Sequence, residues 1–350
     1  MPDKKKQHYV PKLLLRHFSN DAKKKLINIF NVDTHFYRVD CPLDSQGQEN
    51  YFYGSDGVIE DGLGKLESLT SPILNNIVGK KVLPKRGTQE SESLFLFTLF
   101  LAYRTKNSVE HLNEIVDKTF QEIKKLDSRF SDDKYKDLHI QLNNAASISL
   151  GIVAKKAFMA YDLESVLLVN ETERKFISSD HPAIRYNQFL ENKNHPGGHL
   201  GMFTKGLQLF FPISPDHMIV YYDKWAYKFG NKKDKIIYLK NPKDVEQLNY
   251  LQVVNCTEIV FSTQHTKEIS LALMSEKAKN LRSKDRTKLY EINKRYKDED
   301  DNEHIQYTQQ ADDRQIKLQL SFIKQNQNAK SHKLSNYFVQ LRDEQLRYHL

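Results

Sequence analysis

The sequence predicts an α+β protein, with a helical first half packed on an antiparallel sheet and a charged C-terminal extension. Three observations carry that expectation. Apolar residues recur at helical spacing from Ile59 to about residue 160, and after Asp162 the pattern shortens to that of strands. The longest apolar run, LFLFTLFLAY at 94–103, is about half the ~20 residues that a bilayer crossing needs, so it reads as a buried helix ending at Arg104.

The elements follow in chain order. Pro11 suits the first turn of a helix, where its missing N–H costs nothing, and Leu14, Leu15 and Phe18 then share one face as far as Ser19 and Asn20. KLINIFNVDTHFYRV at 25–39 is two β-rich runs around a polar turn, a hairpin. A loop with Pro42, Gly47 and Gly54 leads to a helix from Ile59, where Gly62 and Gly64 each cost about 1 kcal/mol relative to Ala. Long helices are expected over 90–127 and 131–160, joined by DSRFSDDK.

In the second half, SVLLVNETERKFISSDHPAI is expected to pair two strands through NETE. GLQLFFPISPDHMIVYY supplies two more around a proline- and serine-containing turn, and NPKDVEQLNYLQVVNCTEIVFS a capped helix followed by a strand. From about 275 the chain is densely charged and reads as a linker or exposed helix, then a hairpin in IQYTQQADDRQIKLQLSFIK and an amphipathic helix in LSNYFVQLRDEQLRYHL. The expected organisation is therefore a main domain at 1–275 and an extension at 276–350, with no solenoid repeat.

Composition narrows the function classes. The 350 residues carry 39% hydrophobic side chains, enough for a core, and 53 Lys and Arg against 45 Asp and Glu give a net charge of +8. That balance suits a polyanion such as nucleic acid, although a lysine-rich solvated surface gives the same number. Cys41 and Cys256 are far apart and lack zinc-finger neighbours, which points to a reducing compartment. The N-terminal lysines run into QHYVPK rather than a greasy stretch, so no secretory signal and no membrane partner are expected and the location implied is cytoplasmic.

Few side chains stand out as chemistry. His8, just before the Pro11 helix and among Lys4, Lys5, Lys6 and Lys12, is either the lid of a core or a working group at an anionic site. Glu60 and Glu67 lie two helical turns apart on one face, where they can present two acids to a cleft or stay solvated. Arg104 shares a stripe with Leu94, Phe97 and Leu101, so its guanidinium faces inward. It either bridges a glutamate between helices or binds an anion. Asp180 in ISSDHPA ends a strand at a corner set by Pro182, as a site acid or as an Asx-turn residue.

His181 and His217 read as ordinary loop residues. His195 and His199 have metal-pair spacing, but Pro-Gly-Gly between them forbids the helix that would use it. The glycines of YGSDGVIEDGLGK match neither a P-loop nor a dinucleotide fingerprint, and no nucleophile elbow is present.

Taken in order, QHYVPKLLLRHFS, FYG with E-x-x-L-x-x-L-E, AYRT, ISSDHPAI and FFPISPDH resemble the bacterial family catalogued as domain of unknown function 4238, over roughly residues 5–270. The resemblance implies that His8, Tyr53, Glu60, Glu67, Arg104, Asp180 and Pro182 are family landmarks. His181 departs from the usual pattern, in which Asn is common, and so does the C-terminal extension.

The function expected from these residues is a metal-dependent nucleic-acid hydrolase, a defence or toxin-type effector, with His8, Glu60, Glu67, Arg104 and Asp180 at one site. Glu67 and Asp180 would hold Mg²⁺ or Mn²⁺, His8 would transfer protons, and Arg104 would steady the phosphate. Basic residues at 4–6, 23–25 and 80–86 would track the nucleic-acid backbone. The alternative is a non-enzymatic module that binds nucleic acid or protein and in which Arg104 bridges Glu60 or Glu67.

Overall fold

The computed structural model describes residues 5–195, 197–230, 235–282, 288–297, 303–310, 315–335 and 339–343. Helices dominate the first half, and two mainly antiparallel sheets are built chiefly from the second half together with a hairpin at 26–42, an α+β arrangement. The helix Val58–Lys80 starts at Gly57, whose φ of +71° suits glycine, and buries Leu63, Ile73, Leu74 and Ile77. Next to it, Gln89–Tyr103 is the central helix. Thr88 caps it by accepting from Ser91 N, and it buries Leu94, Phe95, Phe97, Leu99 and Leu101. Among the described residues, no helix is long and apolar enough to cross a membrane.

The helix expected over 90–127 is two. Arg104 ends the first, extended Thr105 starts the second, and Lys106–Leu126 runs on from there. Thr105 leaves the helical path because its hydroxyl is drawn to His181 Nδ1, 2.6 Å away on the sheet side. The helix expected over 131–160 shrinks to Ala145–Lys156. Upstream of it acids take the backbone donors: Asp127 accepts from Arg129 N, Asp132 from Lys134 N and Asp117 from Ile140 N. Side chains that offer such bonds compete with the helical ladder.

One sheet orders the strands Ile236–Leu239, Glu164–Asn170, His217–Tyr222, Gln208–Ser214 and Ile184–Tyr186, and only the first pair is parallel. The other orders Tyr37–Pro42, Leu26–Asn31, Ile259–Ser262 and Ser178–Ser179, all antiparallel. Two expected hairpins stand: Leu26–Asn31 pairs with Tyr37–Pro42, and Gln208–Ser214 with His217–Tyr222.

The hairpin expected through NETE does not form, since its two strands join different sheets. Asn170 turns the chain by bonding Arg174 O and Thr172 N. The helix Pro242–Asn255 then holds the departing strand through Asn249 to Ile177 N and Gln252 to Ser179 Oγ and Pro182 O.

In the charged C-terminal region, helix Glu268–Ala278 is followed by an antiparallel ribbon of Lys288–Lys297 with Glu303–Gln310. The hairpin therefore lies earlier than expected, because Leu289, Tyr290, Ile292 and Tyr296 sit among the charges that read as a linker. Further on, Ile323–Gln325 pairs with Tyr227–Phe229, and Leu318 and Leu320 are buried in the core under the five-stranded sheet. Most of the terminal helix expected over 334–350 lies outside the described residues.

Candidate functional site

The N-terminal segment is held before it reaches the site. Lys6–His8 pairs with Gln48–Asn50, and the buried Gln7 amide clasps the next loop, accepting from Tyr53 N at 2.6 Å and donating to Gly54 O at 2.8 Å. Val10 N donates to Gly47 O at 3.0 Å. Gly47 has φ +60°, and a Cβ there would lie 2.7 Å from Val10 Cβ, so only glycine allows this approach. Pro11 then opens the short helix Lys12–Leu15, whose Leu14 and Leu15, with Phe18 beyond, enter the core.

His8 is thereby fixed at the edge of that core. Its Nε2 is buried and has no hydrogen-bond partner among the described residues. Burial first, then the charges of Lys12 and Arg104, pull its pKa down to about 4 against the opposing Asp44. The ring is neutral near pH 7, the form able to accept a proton.

Arg104 lies just inside, at the end of the central helix. It is 1% exposed, and its Nη2 donates to Glu67 Oε1 at 2.8 Å, while Glu67 keeps 26% exposure. Its Nε donates to Tyr9 O at 3.2 Å, and its own carbonyl accepts from the Tyr53 hydroxyl at 3.3 Å. Burial pushes the Tyr53 phenol up; the nearby charge of Arg104 opposes that shift and those of Glu60 and Glu67 add to it. His8, Tyr53, Glu60, Glu67 and Arg104 therefore share one electrostatic neighbourhood, and Arg104 staples the N-terminal segment to two helices.

Asp180 reaches the same junction from the sheet side but turns its carboxylate away. It accepts from Thr257 N, Glu258 N and Ile259 N at 2.7, 2.7 and 2.8 Å, so both oxygens are occupied by backbone donors. Burial pushes its pKa up to about 6, against those three donors and the charge of Arg282. A cation ligated by Asp180 would have to displace the strand that these bonds hold. Among the described residues, no group of three or more His, Cys, Asp or Glu side chains could hold a metal ion. Glu67 and Asp180 are thus engaged elsewhere, one on Arg104 and one on 257–259. The link across the junction is instead Thr105 to His181, each the neighbour of a landmark residue.

A second polar cluster lies where the turn after Gln208–Ser214 meets the end of the Val58–Lys80 helix and the segment Arg16–Phe18. Ser214 Oγ stands 2.8 Å from His217 Nδ1 and accepts from Asp216 N at 3.3 Å, so the ring is held through Nδ1 and not through Nε2. That Nε2 is buried and has no hydrogen-bond partner among the described residues. Burial and then the charges of Lys24 and His217 bring His17 down to about 4. Burial also lowers His217, with Asp216 opposing and Lys81 assisting. Lys24 and Lys81, from two distant basic runs, thus act on one histidine pair.

Both lysines are exposed and have left-handed backbones, φ 53° and 56°. Sequence reasoning named these basic runs but missed the histidines that join them, because no local pattern relates residues 17 and 217. His195 and His199 remain off any shared helix, with His199 Nε2 2.8 Å from His195 O.

A family model described as a protein of unknown function, DUF4238, matches residues 6–266. No curated protein and no solved structure matches the chain.

Proposed function

The chain belongs to the DUF4238 family, and from that premise we propose that it is a nucleic-acid binding module whose landmark residues Arg104 and Asp180 hold the scaffold together. The observation that carries this reading is the net charge of +8, with the exposed Lys24 and Lys81 bearing electrostatically on His17 and His217 respectively. A phosphodiester backbone is the ligand that such a surface suits, because each lysine can neutralise one phosphate and release a counterion.

The backbone of the two lysines supports the same reading. A non-glycine residue in the left-handed region costs about 1 kcal/mol, and glycine would occupy either position more cheaply. What lysine adds there is its charge. The test is fluorescence polarisation of labelled single- and double-stranded DNA and RNA over a range of salt. Affinity should fall steeply as salt rises, by about 0.9 in log–log slope for each phosphate contacted on a duplex. Absence of salt-dependent binding to all four substrates would refute the proposal.

His8 favours a second reading, metal-dependent hydrolysis of the bound strand. Its neutral imidazole with an unpartnered Nε2 lies within the electrostatic reach of Arg104. In that reading His8 moves the proton, Arg104 lends charge, and Glu67 is the partly exposed carboxylate, with Mg²⁺ or Mn²⁺ as cofactor. Cleavage by wild type with either cation, lost in His8→Ala while binding persists, would establish it. Intact substrate after long incubation with both cations would leave binding alone.

A further inference from the structure

At the other end of the central helix from Arg104, a hollow of about 160 Å³ opens between the loop 83–87, the start of Gln89–Tyr103 and the strand Glu164–Asn170. We propose that it binds a small molecule made of one ring-sized apolar body and one anionic group, a carboxylate or a phosphate. The volume sets the body, since an engineered protein cavity of roughly 150 Å³ accommodates benzene. Leu83, Pro84, Leu94 and Leu163 supply apolar wall. Tyr161 and Tyr221 each meet Phe95 edge-on, at 5.2 and 5.1 Å, so the aromatic part of the lining is already ordered before a ligand arrives.

The sign of the polar group follows from Arg86, which lines the hollow. Its Nη2 donates to Tyr161 O at 2.9 Å and its Nη1 pairs with Glu164. Glu164 also faces Lys224 at 3.5 Å and Lys235 at 3.6 Å, so one carboxylate is shared among three cations and leaves Arg86 incompletely neutralised. Glu92 is the opposing charge in the lining and is exposed. The anionic group therefore belongs at the Arg86 end, where a guanidinium can bind it through two donors. This inference does not rest on the nucleic-acid reading, which is carried by Lys24 and Lys81 and not by Arg86.

Calorimetric titration of the full chain with benzoate, phenyl phosphate, benzylamine and inorganic phosphate tests both halves. Benzoate or phenyl phosphate, whichever group the site prefers, should bind at least fivefold more tightly than benzylamine and inorganic phosphate, on the order expected for one charge-assisted contact plus a buried ring. Arg86→Gln should weaken it roughly tenfold, Glu92→Gln should tighten it, and Ser91→Phe should abolish it by filling the hollow, with melting temperatures confirming that each variant folds. Benzylamine binding as tightly as the acids would overturn the assignment of charge. Inorganic phosphate binding equally well would overturn the ring. No binding by any of the four, or binding undiminished in folded Ser91→Phe, would overturn the site itself.

Discussion

Arg104 Nη2 lies 2.8 Å from Glu67 Oε1, with the arginine buried and the glutamate reaching solvent. The pair therefore joins the end of the central helix to the middle of Val58–Lys80 at the edge of the core, and Tyr9 O and Tyr53 complete the arginine's surroundings.

Removing one partner of such a pair costs most when it leaves a buried charge unmatched. Glu67→Gln strips the buried Arg104 guanidinium of its counter-ion and should cost about 3–5 kcal/mol in urea unfolding. Arg104→Ala leaves the partly solvated Glu67, but loses buried packing and the bond to Tyr9 O and should cost several kcal/mol as well. An Arg104→Ala midpoint equal to wild type would show that the bridge is not structural.

Asp180 makes a parallel case from the sheet side. Asp180→Ala leaves three backbone donors without acceptors, and each such orphan costs about 1–3 kcal/mol. The variant should melt well below wild type while its folded fraction still binds nucleic acid. Wild-type stability together with lost binding would place Asp180 at the ligand.

Gly47→Ala combines a left-handed φ with a contact of 2.7 Å to Val10 Cβ. It should destabilise by about 1–3 kcal/mol and loosen the segment that carries His8. Hydrogen exchange at Val10 unchanged from wild type would contradict this.

Acid should weaken the fold through His8 and His17. Both have folded pKa values of about 4, below the ordinary value of 6.5, so between those limits the unfolded chain binds protons that the native state refuses. Stability should fall as pH drops from about 6.5 to about 4, and a His17→Gln variant should show a shallower fall. Asp180, raised to about 6, takes up a proton in the native state over part of the same window and offsets some of that fall, so a His17→Gln profile as steep as that of wild type would refute the burial of that ring.

Much of this was legible in the sequence where the pattern is local. The apolar run 94–103, Pro11 with Leu14 and Leu15, and the two β-rich runs around the proline-containing turn within 208–222 each specify an element without help from elsewhere. The inward Arg104 was readable from its stripe, and its partner Glu67 was one of the two acids that spacing had picked out. What stayed hidden depends on contacts distant in sequence. The break at Thr105 needs His181, the divergence of 164–170 from 178–179 needs the polar face of Pro242–Asn255, and the orientation of Asp180 needs the backbone of 257–259. Charge density concealed the ribbon of Lys288–Lys297 with Glu303–Gln310 in the same way, because its pairing register, not its composition, makes it a pair of strands.

The most direct measurement of the proposed function compares nucleic-acid affinity of wild type with that of the Lys24→Gly/Lys81→Gly double variant across salt. Glycine fits both left-handed positions, so the variant should remain at least as stable as wild type. Its log–log salt slope on a duplex should be shallower by about 2, the loss of two phosphate contacts, with weaker binding at low salt. A stable variant with wild-type affinity and slope would contradict the assignment of this face as the nucleic-acid surface.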